Sequence, residues 1–290
     1  RDLQETINYA FVDANLLAQW QLAEALVPLA NPLSAELAVM RPSLLPGLVA
    51  TLGRNAARQI GRVRLFELGR VFAQQAGDGR PAPLETPRVA AAVCGDAQAL
   101  QWGLPARKVD FHDLKGDLES LAAASGAVLE FRPSARPYGH PARSAEVFRD
   151  GVAIGWIGQI HPRLAKAMDI EADVYAFELD LEPLTARRLP RAGELSRFPA
   201  VRRDLAFLVP EQVAWADLAA TVRQAAGPLL RDLNLFDRYV GQGVEPGFKS
   251  LAMGLILQDK SRTLTDRDVD AVVAEAVTAI EREHHARIRG

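Results

Sequence analysis

An arginine-rich stretch at residues 187–203 divides the chain, and this division constrains the fold more than any other feature of the sequence. Against the single acid Glu194 stand six arginines: Arg187, Arg188, Arg191, Arg197, Arg202 and Arg203. Two prolines and a glycine in the same stretch disfavour a continuous helix or strand. We therefore expect a boundary between one domain at 1–190 and another at 196–290. The arginines form either a solvated basic linker or a strip that contacts phosphates, and the sequence leaves both open.

Charge and cysteine content exclude several classes of protein. The net charge of −2 argues against a nucleic-acid binder held by bulk electrostatics, and acids and bases balance within 196–290. The single Cys94 excludes an internal disulfide and a thiolate zinc site, and one free thiol suits the cytoplasm. No apolar run approaches the roughly 18 residues of a membrane span, and no signal peptide is visible. Because the chain begins with Arg1, we expect it to be a piece of a longer protein.

The first 185 residues predict an α+β domain with an antiparallel sheet. Apolar spacing indicates a helix at 43–55, whose stripe either belongs to the core or forms a surface for a partner. A second helix is predicted at 113–125, with Leu114, Leu118 and Leu121 on its buried face. A strand is expected at 63–72, and further short strands follow it. They lie at 128–131, 145–148, 153–160 and 175–181, with Asp150-Gly151 as a hairpin turn.

Motifs for chemistry are absent from the sequence. No phosphate-binding loop, dinucleotide fingerprint or G-x-S-x-G elbow occurs. None of the five histidines (His112, His140, His161, His284 and His285) belongs to an H-x-x-x-H pair, so we predict structural roles for all of them. Asp113 and Asp117 share a helix face, but a solvated helix start explains them equally well. We predict no catalytic residue and no metal ligand.

The last 95 residues predict a βαββαβ unit of the split βαβ, ferredoxin-like kind. Strands are indicated at 203–209, 233–240 and 250–258, and 286–289 is long enough for a short closing strand. Helices follow the first and third strands, and the second helix opens with a capping box at residues 265–268. Such a fold leaves one sheet face open, but the aromatic motif of RNA-recognition modules is absent. Topology alone therefore does not establish RNA binding.

Seven sequence segments in a fixed order are spread along the chain from residue 31 to residue 269. They are residues 31–48, 62–69 (RVRLFELG), 110–121 (DFHDLKGDLESL), 155–162 (GWIGQIHP), 196–209 (SRFPAVRRDLAFLV), 234–243 (NLFDRYVGQG) and 249–269. Together they resemble the β chain of the bacterial phenylalanyl-tRNA synthetase family. The resemblance implies a class II synthetase-like antiparallel sheet domain that is catalytic-like but not catalytic, followed by a ferredoxin-like anticodon-binding domain. The N-terminal domains of that family are missing from this sequence.

The resemblance also implies partners and cofactors. The family works as an α2β2 heterotetramer in the cytoplasm, binds phenylalanine tRNA, and uses ATP and Mg²⁺ at an active site on the α subunit. We therefore expect an α subunit and tRNA as partners, no DNA, no membrane, and no cofactor bound by this chain. The sequence agrees, because it lacks the G-x-G-x-G-x-x-x-R element with which class II sites hold ATP. Arg64 and Glu67 are spaced R-x-x-E instead of R-x-E, and we interpret them as structural.

The resemblance points to RNA contacts in the C-terminal domain. The predicted residues are Arg197, Phe198, Arg202, Arg203, Asp237, Arg238, Tyr239 and Lys249. Arg197, Arg202 and Arg203 would contact phosphates, Phe198, Phe236 and Tyr239 would stack on bases, and Asp237 would accept hydrogen bonds from a guanine or else close a turn. Three functions remain: a tRNA ligase fragment that assembles and binds the anticodon, an independent enzyme, or a purely structural subunit without RNA contact.

Overall fold

The computed structural model describes residues 1–75, 82–187 and 196–289, so Arg188 and Arg191 of the arginine-rich stretch lie outside the described residues. The chain forms two compact units, Arg1–Pro190 and Arg191–Gly290. The elements of the first unit are β1 (Gln4–Glu5), β2 (Phe11–Val12), α1 (Ala14–Gln19), a 3-10 turn (Ala35–Leu37), β3 (Val39–Met40), α2 (Leu45–Ala56), β4 (Arg62–Ala73), β5 (Leu84–Gly95), α3 (Phe111–Ala123), β6 (Leu129–Pro133), β7 (Gly139–Arg149), β8 (Val152–Ile160), α4 (Pro162–Ala167), β9 (Val174–Asp180) and α5 (Leu181–Thr185).

Seven described strands of the first unit form one sheet in the order β1-β4-β5-β9-β8-β7-β6. Every pair is antiparallel except the short β1–β4 pair. The predicted hairpin turn is confirmed: Asp150 and Gly151 join β7 to β8 with φ angles of 51° and 79°, which a two-residue hairpin of this kind requires. The predicted α+β class with an antiparallel sheet is therefore confirmed.

Helices cover both faces of this sheet. α2 packs on one face through Leu45, Leu48 and Leu52, which are fully buried, and α3 packs on the other. The apolar stripe of α2 is thus core, which settles the alternative left open by the sequence. In α3 one predicted core residue is wrong: Leu121 is 45% exposed, and Ala122 takes the buried position four residues after Leu118.

The second unit contains β10 (Val201–Pro210), α6 (Trp215–Ala226), a 3-10 turn (Gly227–Leu229), β11 (Leu230–Tyr239), β12 (Phe248–Leu257), α7 (Asp266–His284) and β13 (Arg287–Ile288). The strand order is β11-β12-β10-β13, and all pairs are antiparallel. This is the predicted βαββαβ arrangement. The capping box is also confirmed, since the Thr265 hydroxyl accepts from Asp268 N while the Asp268 carboxylate accepts from Thr265 N. Among the described helices, none combines the length and apolar character that crossing a membrane requires.

Candidate functional site

Strand alternation gives the sheet of the second unit two different faces. α6 and α7 pack on the face that carries Phe207, Leu251 and Met253, and these three side chains are buried. The alternate residues lie on the opposite face. We call it the open face, and its residues are Arg202, Asp204 and Ala206 of β10, Phe236, Asp237 and Tyr239 of β11, Phe248, Ala252 and Gly254 of β12, and Arg287 and Arg289 in and after β13.

Three arginine–aromatic pairs stand on the open face. The Arg202 guanidinium lies 5.4 Å from the centroid of the Phe236 ring, Arg289 lies 5.9 Å from that of Tyr239, and Arg287 lies 5.4 Å from that of Phe248. These distances fall within the range of a cation–π attraction. Phe236 and Tyr239 are 48% and 39% exposed, so each ring also offers surface to a ligand. Flat rings next to cations are suited to bind a nucleotide, which has a π-face and a negative phosphate.

Arg202 is fixed by its neighbours on the sheet. Its Nε donates to Asp204 Oδ1 over 2.7 Å. The pair lies directly above Gly254, where an added Cβ would come within 3.0 Å of that Asp204 oxygen and 3.2 Å of Arg202 Nε. A glycine at this position therefore lets the ion pair lie close to the strand backbone.

Asp237 is presented outward by an irregularity of its strand. The register of β11 against β12 shifts between Leu235 and Asp237, as at a β-bulge, and Asp237 then stands opposite Ala252. Its carboxylate is exposed and has no hydrogen-bond or ion-pair partner among the described residues. An ionised carboxylate accepts hydrogen bonds only, so this group can bind the edge of a base that offers two donors.

Other predicted site residues lie elsewhere. Alternation places Arg203 on the helix side, where its guanidinium donates to Asp266 over 3.1 Å. Arg238 stands opposite Leu251, again away from the open face. Lys249 is buried and its amine donates to the carbonyls of residues 211 and 213 over 2.8 and 2.6 Å. Burial lowers the pKa of this amine, and its donors serve the fold, so we leave Lys249 out of the candidate site.

The segment before β10 carries the remaining two predicted residues. Arg197 is exposed, and Phe198 is half-buried with its carbonyl oxygen accepting from Gln258 Nε2 over 2.7 Å. Four residues of the open face were not predicted from the sequence: Asp204, Phe248, Arg287 and Arg289. A signal for the last two exists: residues 286–289 alternate apolar and basic, so both arginines of a closing strand must share one face.

Family comparisons agree with both units. Residues 1–181 match the model of the phenylalanyl tRNA synthetase beta chain CLM domain, which is more than half of the chain. The chain belongs to the phenylalanyl-tRNA synthetase β chain family. Residues 196–289 match the model of the ferredoxin-fold anticodon binding domain.

Curated relatives of the synthetase β chain family are similar over all of this chain. It is 77% identical over 290 residues to the phenylalanine–tRNA ligase beta subunit of Xanthomonas campestris pv. campestris (strain 8004). It is 78% identical over 289 residues to that of Xanthomonas axonopodis pv. citri (strain 306), and 68% identical over 289 residues to that of Xylella fastidiosa (strain Temecula1 / ATCC 700964). In each case the match covers 100% of this chain and 36% of the relative. The chain thus spans about a third of the length of these relatives.

Arg64 and Glu67, the R-x-x-E pair of the first unit, are both engaged in ion pairs. Arg64 is buried, and its Nη2 forms an ion pair with Asp117. Glu67 is 1% exposed and accepts from Arg41 Nη1 and from the Asn8 side chain, both over 2.6 Å. Both charges are paired within the first unit, which agrees with their predicted structural role. The described residues also contain no group of three or more His, Cys, Asp or Glu side chains that could hold a metal ion.

The buried Glu178 carboxylate of the β chain module, residues 1–187, has a structural role. Glu178 accepts from Ser43 Oγ over 2.9 Å, from the Leu44 amide over 2.6 Å, and from Arg88 over 3.2 Å. Burial raises its pKa, while these donors oppose the rise. Since the first two donors stand at the start of α2, the carboxylate caps that helix and complements its dipole.

An apolar groove lies on the α3 side of the same module. Its volume is about 570 Å³, and its lining includes Phe66, Leu68, Val89, Leu121 and Phe177. Leu68 is 51% exposed, so the groove leaves large apolar side chains in contact with solvent. A β chain module of this kind can bury the groove only against another apolar surface.

Proposed function

We propose that the chain is a part of a phenylalanine–tRNA ligase β subunit whose second unit binds the anticodon stem-loop of phenylalanine tRNA. The observation that carries the proposal is the exposed, unpartnered Asp237 carboxylate between the Phe236 and Tyr239 rings on the open face. The match of residues 196–289 to an anticodon-binding domain and the names of the relatives support it.

Each group of the open face has a chemical task in this proposal. Loop bases that are splayed from their stem stack on Phe236 and Tyr239, each worth roughly 1–3 kcal/mol. Arg202, held by Asp204, approaches a phosphate beside the Phe236 base, and the exposed Arg197 adds a contact before β10. The Asp237 carboxylate accepts from the N1–H and N2–H groups of guanine, the first anticodon base that phenylalanine tRNA commonly carries. Base contacts specify the sequence, whereas phosphate contacts position the RNA.

The first unit, residues 1–190, contributes assembly and no chemistry in the same proposal. It acts as a catalytic-like class II module that docks on an α subunit in an α2β2 heterotetramer. The α subunit then supplies the site at which ATP and Mg²⁺ activate phenylalanine. The groove beside α3 supports this role, because its lining is mostly apolar. The single buried thiol of Cys94 is consistent with work in a reducing cytoplasm.

Binding of RNA hairpins to the 290-residue chain tests the proposal. One hairpin carries the phenylalanine anticodon, and the other replaces its first guanine with adenine. We expect the chain to prefer guanine, and Asp237→Ala to erase the preference by removing the carboxylate that accepts from the guanine edge. Asp270→Ala makes the same charge change on exposed α7 and should keep the preference.

Two outcomes decide against the proposal. If the unaltered chain binds neither hairpin, the second unit is structural and does not contact RNA. If it binds both hairpins and Asp237→Ala leaves the guanine preference intact, Asp237 only closes the strand.

A further inference from the structure

Arg289 and Asp237 stand at the two ends of one row across the open face. The Arg289 amide donates to Ala206 O over 2.7 Å. Ala206 is paired with Ala252, and Ala252 is paired with Asp237. The two residues between the ends are alanines. Because their side chains are short, the long Arg289 side chain extends across them to the Tyr239 ring.

Charge pairing distinguishes Arg289 from Arg202 and Arg287, the other two arginines of the open face. Arg202 pairs with Asp204 at 2.7 Å, and Arg287 pairs with Glu245 at 3.5 Å. Arg289 has no carboxylate within ion-pair distance among the described residues, and its guanidinium lies over the Tyr239 ring. A phosphate that approaches Arg289 therefore displaces no competing carboxylate, and the guanidinium is available for a charge-assisted hydrogen bond to it.

We infer that Arg289 holds the phosphate of the nucleotide whose base Asp237 binds. This inference rests on the proposed function, since it assigns a further residue to the same RNA site. Tyr239 acts as the positioning residue for Arg289: its ring lies against the guanidinium, and its hydroxyl donates to Gln242 O over 3.2 Å. One nucleotide then spans the row, with its phosphate on the cation and its base on the anion. We thus assign the main phosphate contact of the open face to Arg289, instead of to Arg202 and Arg203, which were predicted from the sequence.

Salt dependence of binding separates this role from a structural one. The 290-residue chain and its variants are titrated with the guanine and adenine hairpins over a series of salt concentrations. Arg289→Gln should lower affinity for both hairpins about tenfold, since a charged hydrogen bond is lost. It should also lower the slope of log K against log salt by about 0.7, the value for one phosphate contact on a single strand. Arg289→Lys keeps the charge and should keep most of the slope.

Arg203→Gln is the matched control, because it removes the same charge from the helix side of the sheet. It should leave the slope unchanged. Discrimination between the two hairpins should also persist in Arg289→Gln, since the base is bound by Asp237. Circular dichroism of each variant establishes that the fold is intact.

The inference is overturned if the unaltered chain binds and Arg289→Gln keeps the original slope, or if Arg289→Gln loses the guanine preference. In both cases the proposed function stands, because the chain still binds the hairpin. If the unaltered chain binds neither hairpin, both the inference and the proposed function fail.

Discussion

At Gly254 the missing side chain lets an ion pair lie flat on the sheet. The Arg202–Asp204 pair occupies the space that a Cβ would need, so the identity of one small residue determines where a cation stands on the open face. The contact distances of 3.0–3.3 Å are to the ends of flexible side chains, not to backbone. A methyl group there is thus expected to displace the pair without breaking the strand.

Gly254→Ala should consequently keep the melting temperature within a few degrees and weaken RNA binding several-fold. The reason is that Arg202 must move away from Phe236 when its support is filled. Thermal unfolding and hairpin affinity, measured on the same sample, separate the two effects. Gly116→Ala in α3, where an added Cβ meets nothing within 4 Å, is the control and should leave affinity unchanged. Unaltered affinity in Gly254→Ala would show that the position of Arg202 has no role in binding.

Helix α7 depends on its first turn. Thr265 and Asp268 satisfy each other's backbone amides, and Arg262 donates to both oxygens of the Asp268 carboxylate over 2.6 and 2.9 Å. Thr265→Ala removes one cap and should cost about 1 kcal/mol of unfolding free energy. Urea denaturation measures this loss. Thr278→Ala, in the exposed middle of the same helix, is the control and should change stability little, because its hydroxyl bonds only to the Ala274 carbonyl.

The capping box of α7 also predicts how the free energy of unfolding depends on pH. Hydrogen bonds from Arg262 and Thr265 hold the pKa of Asp268 below its usual value of 3.8. A carboxyl with a lowered folded pKa stabilises the fold above the unfolded pKa, and this contribution is lost as the pH falls through the folded pKa. The stability difference between the original chain and Thr265→Ala should therefore be full near neutral pH and shrink below pH 4. A difference that stays constant down to pH 2 would contradict this assignment.

Helices and strands whose apolar residues recur with a clear period were predictable from the sequence. A strand that is buried on both faces of its sheet was not. α6, α7 and the strands of the second unit follow their apolar spacing, because each buries only one face. Strand β5 was missed: its alanines at 90–92 lack the β-branched signal, and both faces of the sheet bury them. Leu121 was misplaced because the core of α3 follows an i, i+4 line to Ala122. Tertiary packing decided these cases, and local sequence does not encode it.

At the candidate site, some of the residues could be predicted from the sequence, but the contacts of their side chains could not. Asp237 and Tyr239 follow from the resemblance, and both stand on the open face. Arg203 and Lys249 were predicted from the same resemblance, yet strand alternation places Arg203 on the helix side, and the buried Lys249 amine donates to backbone carbonyls. Arg289 was missed because its role depends on a neighbour from a distant strand and on the lack of a carboxylate nearby.

At the scale of the whole chain, Arg64 and Glu67 of the first unit are held in ion pairs with Asp117 and Arg41, respectively. We expect the purified chain to give no phenylalanine-dependent exchange of pyrophosphate into ATP. An assay of that exchange, with and without an added α subunit, checks the prediction. Activity in the chain alone would mean that this unit holds a nucleotide through groups other than Arg64.

The groove beside α3 is the surface through which we propose that the first unit assembles with the α subunit. Leu68 and Leu121 are half exposed there, and burying the exposed half of each side chain is worth roughly 1 kcal/mol, about half the value for complete burial of a leucine. Leu68→Asp should thus weaken a complex with the α subunit while leaving the isolated chain folded, because its side chain already meets solvent. Co-expression followed by size-exclusion chromatography measures the complex. Val128→Asp places the same charge on an exposed apolar residue outside the groove and should keep the complex. If Leu68→Asp co-elutes with the α subunit as the original chain does, the α subunit docks on another surface of the first unit.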